Sequence, residues 1–259
     1  MLNKNKKSHL VIQSNKLIEA RYSLTLGEQR LILAMVSMIH PNDADFFDYE
    51  ISMKNLAELL NIDVKSSYRE ANKITERLME RILHIQKPGG GLLKIHWVSS
   101  VLHEDGRIVL SFDPKLKPYL LRLKSEFTKY NIVIAAHFQS IYSIRIYQLL
   151  KQYKNIGYRE FRVDELKDIL GIKTSQYPVF KDFYRRVIGQ AKKEFDKKDK
   201  AGNCQCDLTF ELEKIREGRR IARLKFIIEQ EYHEAVRRGQ CRLMKYERNM
   251  ERLRVSRCS

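Results

Sequence analysis

The residues best suited to chemistry in this chain are cations rather than nucleophiles. In Lys65–Leu83, KSSYREANKITERLMERIL, the residues Lys65, Arg69 and Lys73 share one side of a helix, with Arg77 at its edge. Ala71, Ile74, Leu78 and Ile82 fall within roughly a 100° arc on the other side. In Val179–Phe195, Lys181, Arg185, Arg186, Lys192 and Lys193 lie on or beside the face opposite Phe180, Phe183, Tyr184, Val187, Ala191 and Phe195. A third set, Lys214, Arg216, Arg219 and Arg220, surrounds the tip of a hairpin. Ammonium and guanidinium groups in such rows neutralise phosphates, and arginine can also meet guanine O6 and N7 with two parallel hydrogen bonds. A helix with one cationic and one apolar side can enter a major groove while packing on its own domain. On the first helix alone, a solvated charged face gives the same pattern.

Catalytic constellations are missing from the sequence. The seven histidines, at positions 9, 40, 84, 96, 103, 137 and 233, include no pair two residues apart, so the His-x-His metal motif of a nicking enzyme is absent. No G-x-x-x-x-G-K-[ST] loop occurs either. Cys204-x-Cys206 has the wrong spacing for structural zinc, and Cys241 and Cys258 supply no second pair nearby. Neither a metal nor a cofactor is expected.

The overall charge agrees with a polyanionic partner. Lys plus Arg number 49 against 32 Asp plus Glu, a net charge of +17 over 259 residues. Such an excess repels itself in the folded state. With 43% hydrophobic residues the chain has the material for a core, so it is no disordered basic tail. The longest apolar run, Leu31 to Ile39, is broken by Ser37 and is too short to span a bilayer. A cytosolic protein with free thiols is expected, and a membrane surface is the weaker candidate partner because the basic helices commit their apolar faces to cores.

The elements that must position these cations follow from local signals. Leu10–Ala20 reads as an extended lead-in. Thr25 and Glu28 form a T-x-x-E capping box for a helix to about Ile39. A strand at Phe47–Ile51 leads to Ser52, an N-cap for Met53–Leu60, and after a break at Asn61–Ser66 the Lys65–Leu83 helix follows, with Ser67 and Glu70 as its capping box. Two helices across a short turn make a helix-turn-helix. Beyond Leu83 the period changes to 2. Strands at about Leu93–Leu102 and Ile108–Phe112 flank Asp105-Gly106, a hairpin that reads as a wing. Asp113-Pro114 opens a further helix carrying Leu116, Leu120, Leu121 and Leu123.

The same programme then repeats. Ile51–Ile62 aligns without gaps on Phe161–Ile172, an offset of 161 − 51 = 110, so that Leu56, Leu59, Leu60 and Ile62 match Leu166, Ile169, Leu170 and Ile172. A helix over Phe138–Tyr153 and a strand at Tyr158–Val163 precede this second copy. A hairpin follows it, with Leu208, Phe210 and Leu212 alternating, a turn at Arg216–Arg219, and Ala222, Leu224, Phe226 and Ile228 returning. Gly189, on the outer face of the second long helix, fits either a close approach of backbone to DNA or an untuned surface position. The fold class expected is α+β, two tandem winged-helix domains at 10–130 and 131–230, followed by a basic tail at 231–259 that is partly helical through Leu243, Tyr246, Met250 and Leu253.

Three stretches carry a resemblance: SNKLIEARYSLTLGEQRLIL at Ser14–Leu33, SIYSIRIYQLLKQY at Ser140–Tyr153, and GRRIARLKF at Gly218–Phe226. They are similar to the iteron-binding plasmid replication initiators, which are built of two tandem winged-helix domains. The resemblance runs from about Leu10 to Glu229. It implies binding to repeated double-stranded sites at a plasmid origin, strand opening and recruitment of host replication proteins by the monomer, and repression of its own gene by a homodimer formed through the first domain. It also implies no catalytic site. Arg185 and Arg186 match the arginine-bearing stretch of the family's second recognition helix and are expected to read bases. Tyr184 departs from the pattern, since relatives can carry a basic residue there. Lys181 and Lys192 are expected on phosphates, as are the hairpin cations, with Lys214→Ala weakening cognate and scrambled DNA alike. Backbone contact is the expectation for Lys65, Arg69 and Lys73. The joint at about Lys124–Val133 has neither Gly nor Pro and reads as a continuous, switchable connection. A transcription regulator built from the same two domains fits these residues equally, because both need specific duplex binding.

Overall fold

The computed structural model describes residues 10–40, 42–173, 175–200 and 202–230. Strand β1 (Leu10–Ser14) leads into a single turn, α1 (Asn15–Ile18), where the Ser14 hydroxyl accepts the Leu17 N–H at 3.2 Å. The Thr25/Glu28 capping box then starts α2 (Leu26–Ser37), with both reciprocal hydrogen bonds formed. Its second half, Leu31–Val36, is apolar all round and buried, and its first half buries the polar Glu28, Gln29 and Arg30 as well. The first helix-turn-helix consists of α3 (Met53–Leu60), capped by Ser52, and α4 (Val64–Glu80), preceded by β2 (Tyr49–Ser52). Hairpin β3 (Ile82–Gln86) and β4 (Leu92–His96) follows, and then the wing, β5 (Val98–Glu104) and β6 (Arg107–Phe112).

A 3₁₀ turn at Pro114–Leu116, α5 (Lys117–Leu120), β7 (Phe127–Asn131) and α6 (Ile132–His137) connect this unit to the next. There α7 (Ile141–Gln152), β8 (Tyr158–Arg162) and α8 (Val163–Ile169) precede a helix in three segments. These are α9 (Phe180–Phe183), a π turn over Tyr184–Ile188, and α10 (Gly189–Phe195). The second wing is β9 (Leu208–Glu217) and β10 (Arg220–Gln230).

The repeat is physical. Sheet order β2-β6-β5 in the first unit recurs as β8-β10-β9 in the second, antiparallel throughout. Asn61 and Gly171, 171 − 61 = 110 residues apart, both end the first helix of their motif in the left-handed region, at φ 59° and 67°. After each, the chain closes the same 6→1 bond: Ile62 N–H to Ala57 O and Ile172 N–H to Lys167 O, both 2.9 Å. One core runs through both units, from Leu31 and Leu56 to Leu166, Phe183 and Phe226.

Several local expectations are corrected. Helix α4 begins one turn before Ser67, because the Asp63 carboxylate accepts the Lys65 N–H at 2.9 Å and so caps the helix there. Ser67 lies inside the helix and donates its buried hydroxyl to Val64 O at 2.6 Å. The helix also stops at Glu80, so Ile82 does not belong to its apolar face; it is a half-exposed strand residue, and Leu83 beside it is fully buried. The strand read over Leu93–Leu102 is two strands in two sheets. Buried Trp97 stands between them, edge-on to Tyr22 at 5.1 Å. After Pro114 the helix ends at Leu120, short of Leu121 and Leu123. The joint is not one continuous connection. Within it β7 pairs with β1, from Leu10↔Asn131 to Ser14↔Phe127, between left-handed residues Arg122 and Glu126 and the short helix α6. The helix expected from Phe138 starts at Ile141, capped by Ser140. The tail beyond Gln230 and its apolar set lie outside the described residues.

Glu28 does a second job. Besides capping α2, its fully buried carboxylate accepts two hydrogen bonds from Arg81, at 2.9 and 3.1 Å, fixing the end of α4. Glu28→Gln is expected to cost about 2–3 kcal/mol, since it leaves a partly buried guanidinium without its counter-charge. A urea melt would measure this, and a change below 0.5 kcal/mol (about the scatter of neutral surface substitutions) would count against the pair.

Candidate nucleic-acid interface

Both second helices of the helix-turn-helix motifs turn a cationic face outward. On α4, Lys65, Arg69, Lys73 and Arg77 are all exposed, though Lys73 lies 3.9 Å from Glu70 and is partly neutralised. Two residues missed in the sequence reading join them. Val64 and Tyr68 are 51% and 53% exposed in the first turns of the helix, where an HTH helix meets its groove. Their only sequence signal is an apolar and an aromatic side chain interrupting a polar face. Thr75 Oγ1 meets His103 Nε2 at 3.2 Å and ties α4 to its wing. That wing carries little free positive charge. Its tip holds Glu104 and Asp105, and Arg107 is shared between Glu104 (3.3 Å) and Glu50 (3.5 Å).

In the second unit charge is concentrated on helix and wing together. Arg185 and Arg186 are exposed side by side within the π turn, and Arg185 lies 3.0 Å from Asp182. Lys181 and Lys193 are exposed at either end. Arg216, Arg219 and Arg220 stand at the wing tip, where they and Arg162, Lys167 and Phe180 line an open cleft of about 750 Å³ between the wing and α8. Asp164 and Glu217 also border it. Arg162 and Lys167 were not singled out from the sequence; the cleft alone brings them to the wing.

Two predicted phosphate contacts stand elsewhere than expected. Lys192 is not free: its ammonium lies 3.0 Å from Glu211, 3.2 Å from Asp196 and 3.0 Å from Thr209 Oγ1. Partial burial disfavours its charge, but hydrogen bonds to Glu211 and Asp196 outweigh this and hold its pKa above the usual lysine value. Lys214 sits short of the tip with Nζ 3.8 Å from the centroid of the Tyr184 ring.

The two units are locked by buried cations. Fully buried Arg145 on α7 donates to Ala20 O at 2.9 Å, Tyr22 Oη at 2.5 Å and Ile169 O at 3.2 Å, and lies over the Tyr22 ring at 4.0 Å. Burial draws its pKa down, opposed by Tyr22 and Tyr130. Arg159 pairs with Glu19 at 2.8 Å, and Arg30 donates to Phe138 O at 3.3 Å. Elsewhere, Cys206 is buried, and burial pushes its thiol pKa up, so the thiol stays protonated. Among the described residues no group of three or more His, Cys, Asp or Glu is placed to hold a metal ion, and no helix is long and apolar enough to cross a membrane.

A family model described as "Initiator Replication protein, WH1" matches residues 10–151, and one described as "Initiator Rep protein, WH2" matches residues 162–228. The chain belongs to the initiator replication protein family. A replication initiation protein of Escherichia coli is 30% identical over 200 residues, 72% of this chain and 62% of that one. The PI protein of Escherichia coli is 30% identical over 147 residues, 51% of this chain and 46% of the relative. The chain thus spans less than two thirds of the length of these curated relatives. The crystal structure of the Pi initiator protein in complex with iteron DNA matches with a TM-score of 0.66 at 20% identity, covering 88% of this chain and 100% of that one. This likeness establishes the shared fold of two winged-helix units.

Proposed function

We propose that this protein binds duplex DNA sequence-specifically through both winged helices and starts replication of a plasmid at repeated origin sites. The reading is carried by one observation: two helices in the same topological place, α4 and the helix spanning Phe180–Phe195, each turn lysines and arginines outward from a shared core. The 30% identity to a replication initiation protein supports it. The protein acts by binding, without making or breaking covalent bonds, in the bacterial cytoplasm. Its units divide at 10–130 and 131–230, with the basic stretch 231–259 after them. A homodimer formed through the first unit represses the gene, and the monomer engages host replication proteins at the origin.

Within this scheme Arg185 and Arg186 read bases from the second unit. Lys181, Lys193, Arg216, Arg219 and Arg220 neutralise phosphates, while Lys65, Arg69, Lys73 and Arg77 hold the backbone at the next groove. Lys192 contributes from within, by fixing the wing. Titration with duplexes from the DNA flanking the gene tests the scheme. Tight binding to directly repeated sites of about two helical turns is expected. Arg185→Ala should shrink the preference for a repeat over scrambled duplex about tenfold to hundredfold. Arg219→Ala should weaken both duplexes alike and reduce the slope of log affinity against log salt by about 0.9. Equal losses on both duplexes for Arg185→Ala would overturn its base-reading role. A chain that binds and represses, yet does not sustain a plasmid carrying its repeats, would be a regulator instead.

A further inference from the structure

The helix that carries Arg185 and Arg186 is not a regular α-helix. At its centre the Gly189 N–H donates to Tyr184 O, five residues back, and the turn widens to hold one more residue than an α-turn. Side chains beyond such a turn are rotated relative to those before it by about one residue's step, ~100°. Within this turn Val187 and Ile188 are buried, and Arg185 and Arg186 are exposed together. The direction in which the arginines point therefore depends on what holds the π turn in place.

Tyr184, the residue whose carbonyl accepts that bond, is held from two elements. Its ring stacks on Phe180, with centroids 6.2 Å apart and planes 27° from parallel. Lys214, from β9 of the wing, places its ammonium over the same ring at 3.8 Å. One helical stretch further on, Lys192 reaches Glu211 and Thr209 of the same wing strand. The wing is thus fastened to the helix on both sides of Arg185 and Arg186. A lysine drawn over an aromatic face has exchanged part of its reach toward solvent for a fixed position.

We propose that Tyr184 and Lys214 form a clamp between helix and wing that sets the rotation at which Arg185 and Arg186 meet base edges. Both are positioning residues for sequence discrimination, and Lys214 is not a phosphate contact. The inference rests on the base reading proposed above for this helix.

The full chain serves for the test, with Lys214→Met, Tyr184→Ala and Tyr184→Phe as variants. In the free protein, NMR should find the Lys214 side-chain methylenes shifted upfield by the ring, an effect lost in Tyr184→Ala and kept in Tyr184→Phe. With DNA, Lys214→Met and Tyr184→Ala should cut the ratio of repeat to scrambled affinity about tenfold, within the range of one misaligned arginine–guanine pair. Tyr184→Phe should keep the ratio, and Lys214→Met should keep the wild-type salt slope. Unshifted methylenes overturn the clamp. So does a Lys214→Met protein whose ratio is unchanged while its salt slope falls by about 0.9, the mark of a lost phosphate contact. A wild-type chain with no preference for the repeat overturns the base-reading premise itself, which separates that failure from a failure of the clamp alone.

Discussion

Gly171→Ala is expected to destabilise the protein by about 2–5 kcal/mol, the sum of a left-handed backbone cost and an overpacking cost. At φ 67° the position already disfavours a side chain, and a Cβ there would lie 2.2 Å from Tyr22 O and 2.8 Å from its carbonyl carbon. Those atoms are backbone of the segment between α1 and α2 of the first unit, which packs against this turn of the second, so no rotamer change relieves the clash. Two controls isolate the steric part. Gly157→Ala, at φ 87° with open space around it, should show only the left-handed cost of about 1–2 kcal/mol. Asn61→Gly, at the matching turn of the first unit, should be neutral to slightly stabilising, since glycine adopts this conformation freely. Urea midpoints for the three variants decide the matter, and equal losses for Gly171→Ala and Gly157→Ala would show that the Tyr22 contact gives way.

Arg145→Met should cost about 3 kcal/mol, because it leaves Ala20 O, Ile169 O and Tyr22 Oη short of a donor in the interior. Among the described residues no carboxylate pairs with this guanidinium, so its solvation comes from those oxygens, from Gln148 Oε1 at 3.3 Å and from the Tyr22 ring. Arg145→Lys should not restore stability: an ammonium keeps the charge but cannot span three acceptors on separate segments as a planar fork does. The functional consequence is specific. With the packing between the units loosened, each unit should still bind DNA, while the intact chain loses the advantage of two helices held at one spacing, an effective-concentration term of about a hundredfold or more. Affinity for a full repeat against a half repeat measures it, and an unchanged ratio in Arg145→Met would dissociate that packing from DNA binding.

Much of the fold could be read from local chemistry. Thr25 with Glu28, Ser52, and Asp113 with Pro114 act over three or four residues, and each caps its element where its type and spacing indicate. The 110-residue offset was legible because the same apolar spacing must fill the same shape of core twice. Local signals mislead where two of them compete. Ser67–Glu70 has the form of a capping box, but Asp63 stands earlier and offers a carboxylate to the Lys65 N–H. Leu93–Leu102 alternates as one strand, but Trp97 has to be buried against Tyr22, a residue 75 positions earlier (97 − 22), and the chain changes sheets there.

The cations divide along the same line. Which residues are basic, and that two helices and a hairpin present them, was determined by residue type and period alone, since a helix face follows from 100° per residue whatever surrounds it. Which of those cations are free was decided only by tertiary structure. Lys192 and Lys214 look like their neighbours in the sequence, yet carboxylates and a ring brought close by packing between helix and wing hold both of them. Arg145 reads as one more charge on a helix, and the fold encloses it between Ala20–Tyr22 of the first unit and Ile169 of the second. The π turn that sets the direction of Arg185 and Arg186 likewise depends on Phe180, Tyr184 and Lys214 meeting in space. Charge is a property of the residue; its availability to DNA is a property of what distant segments place beside it.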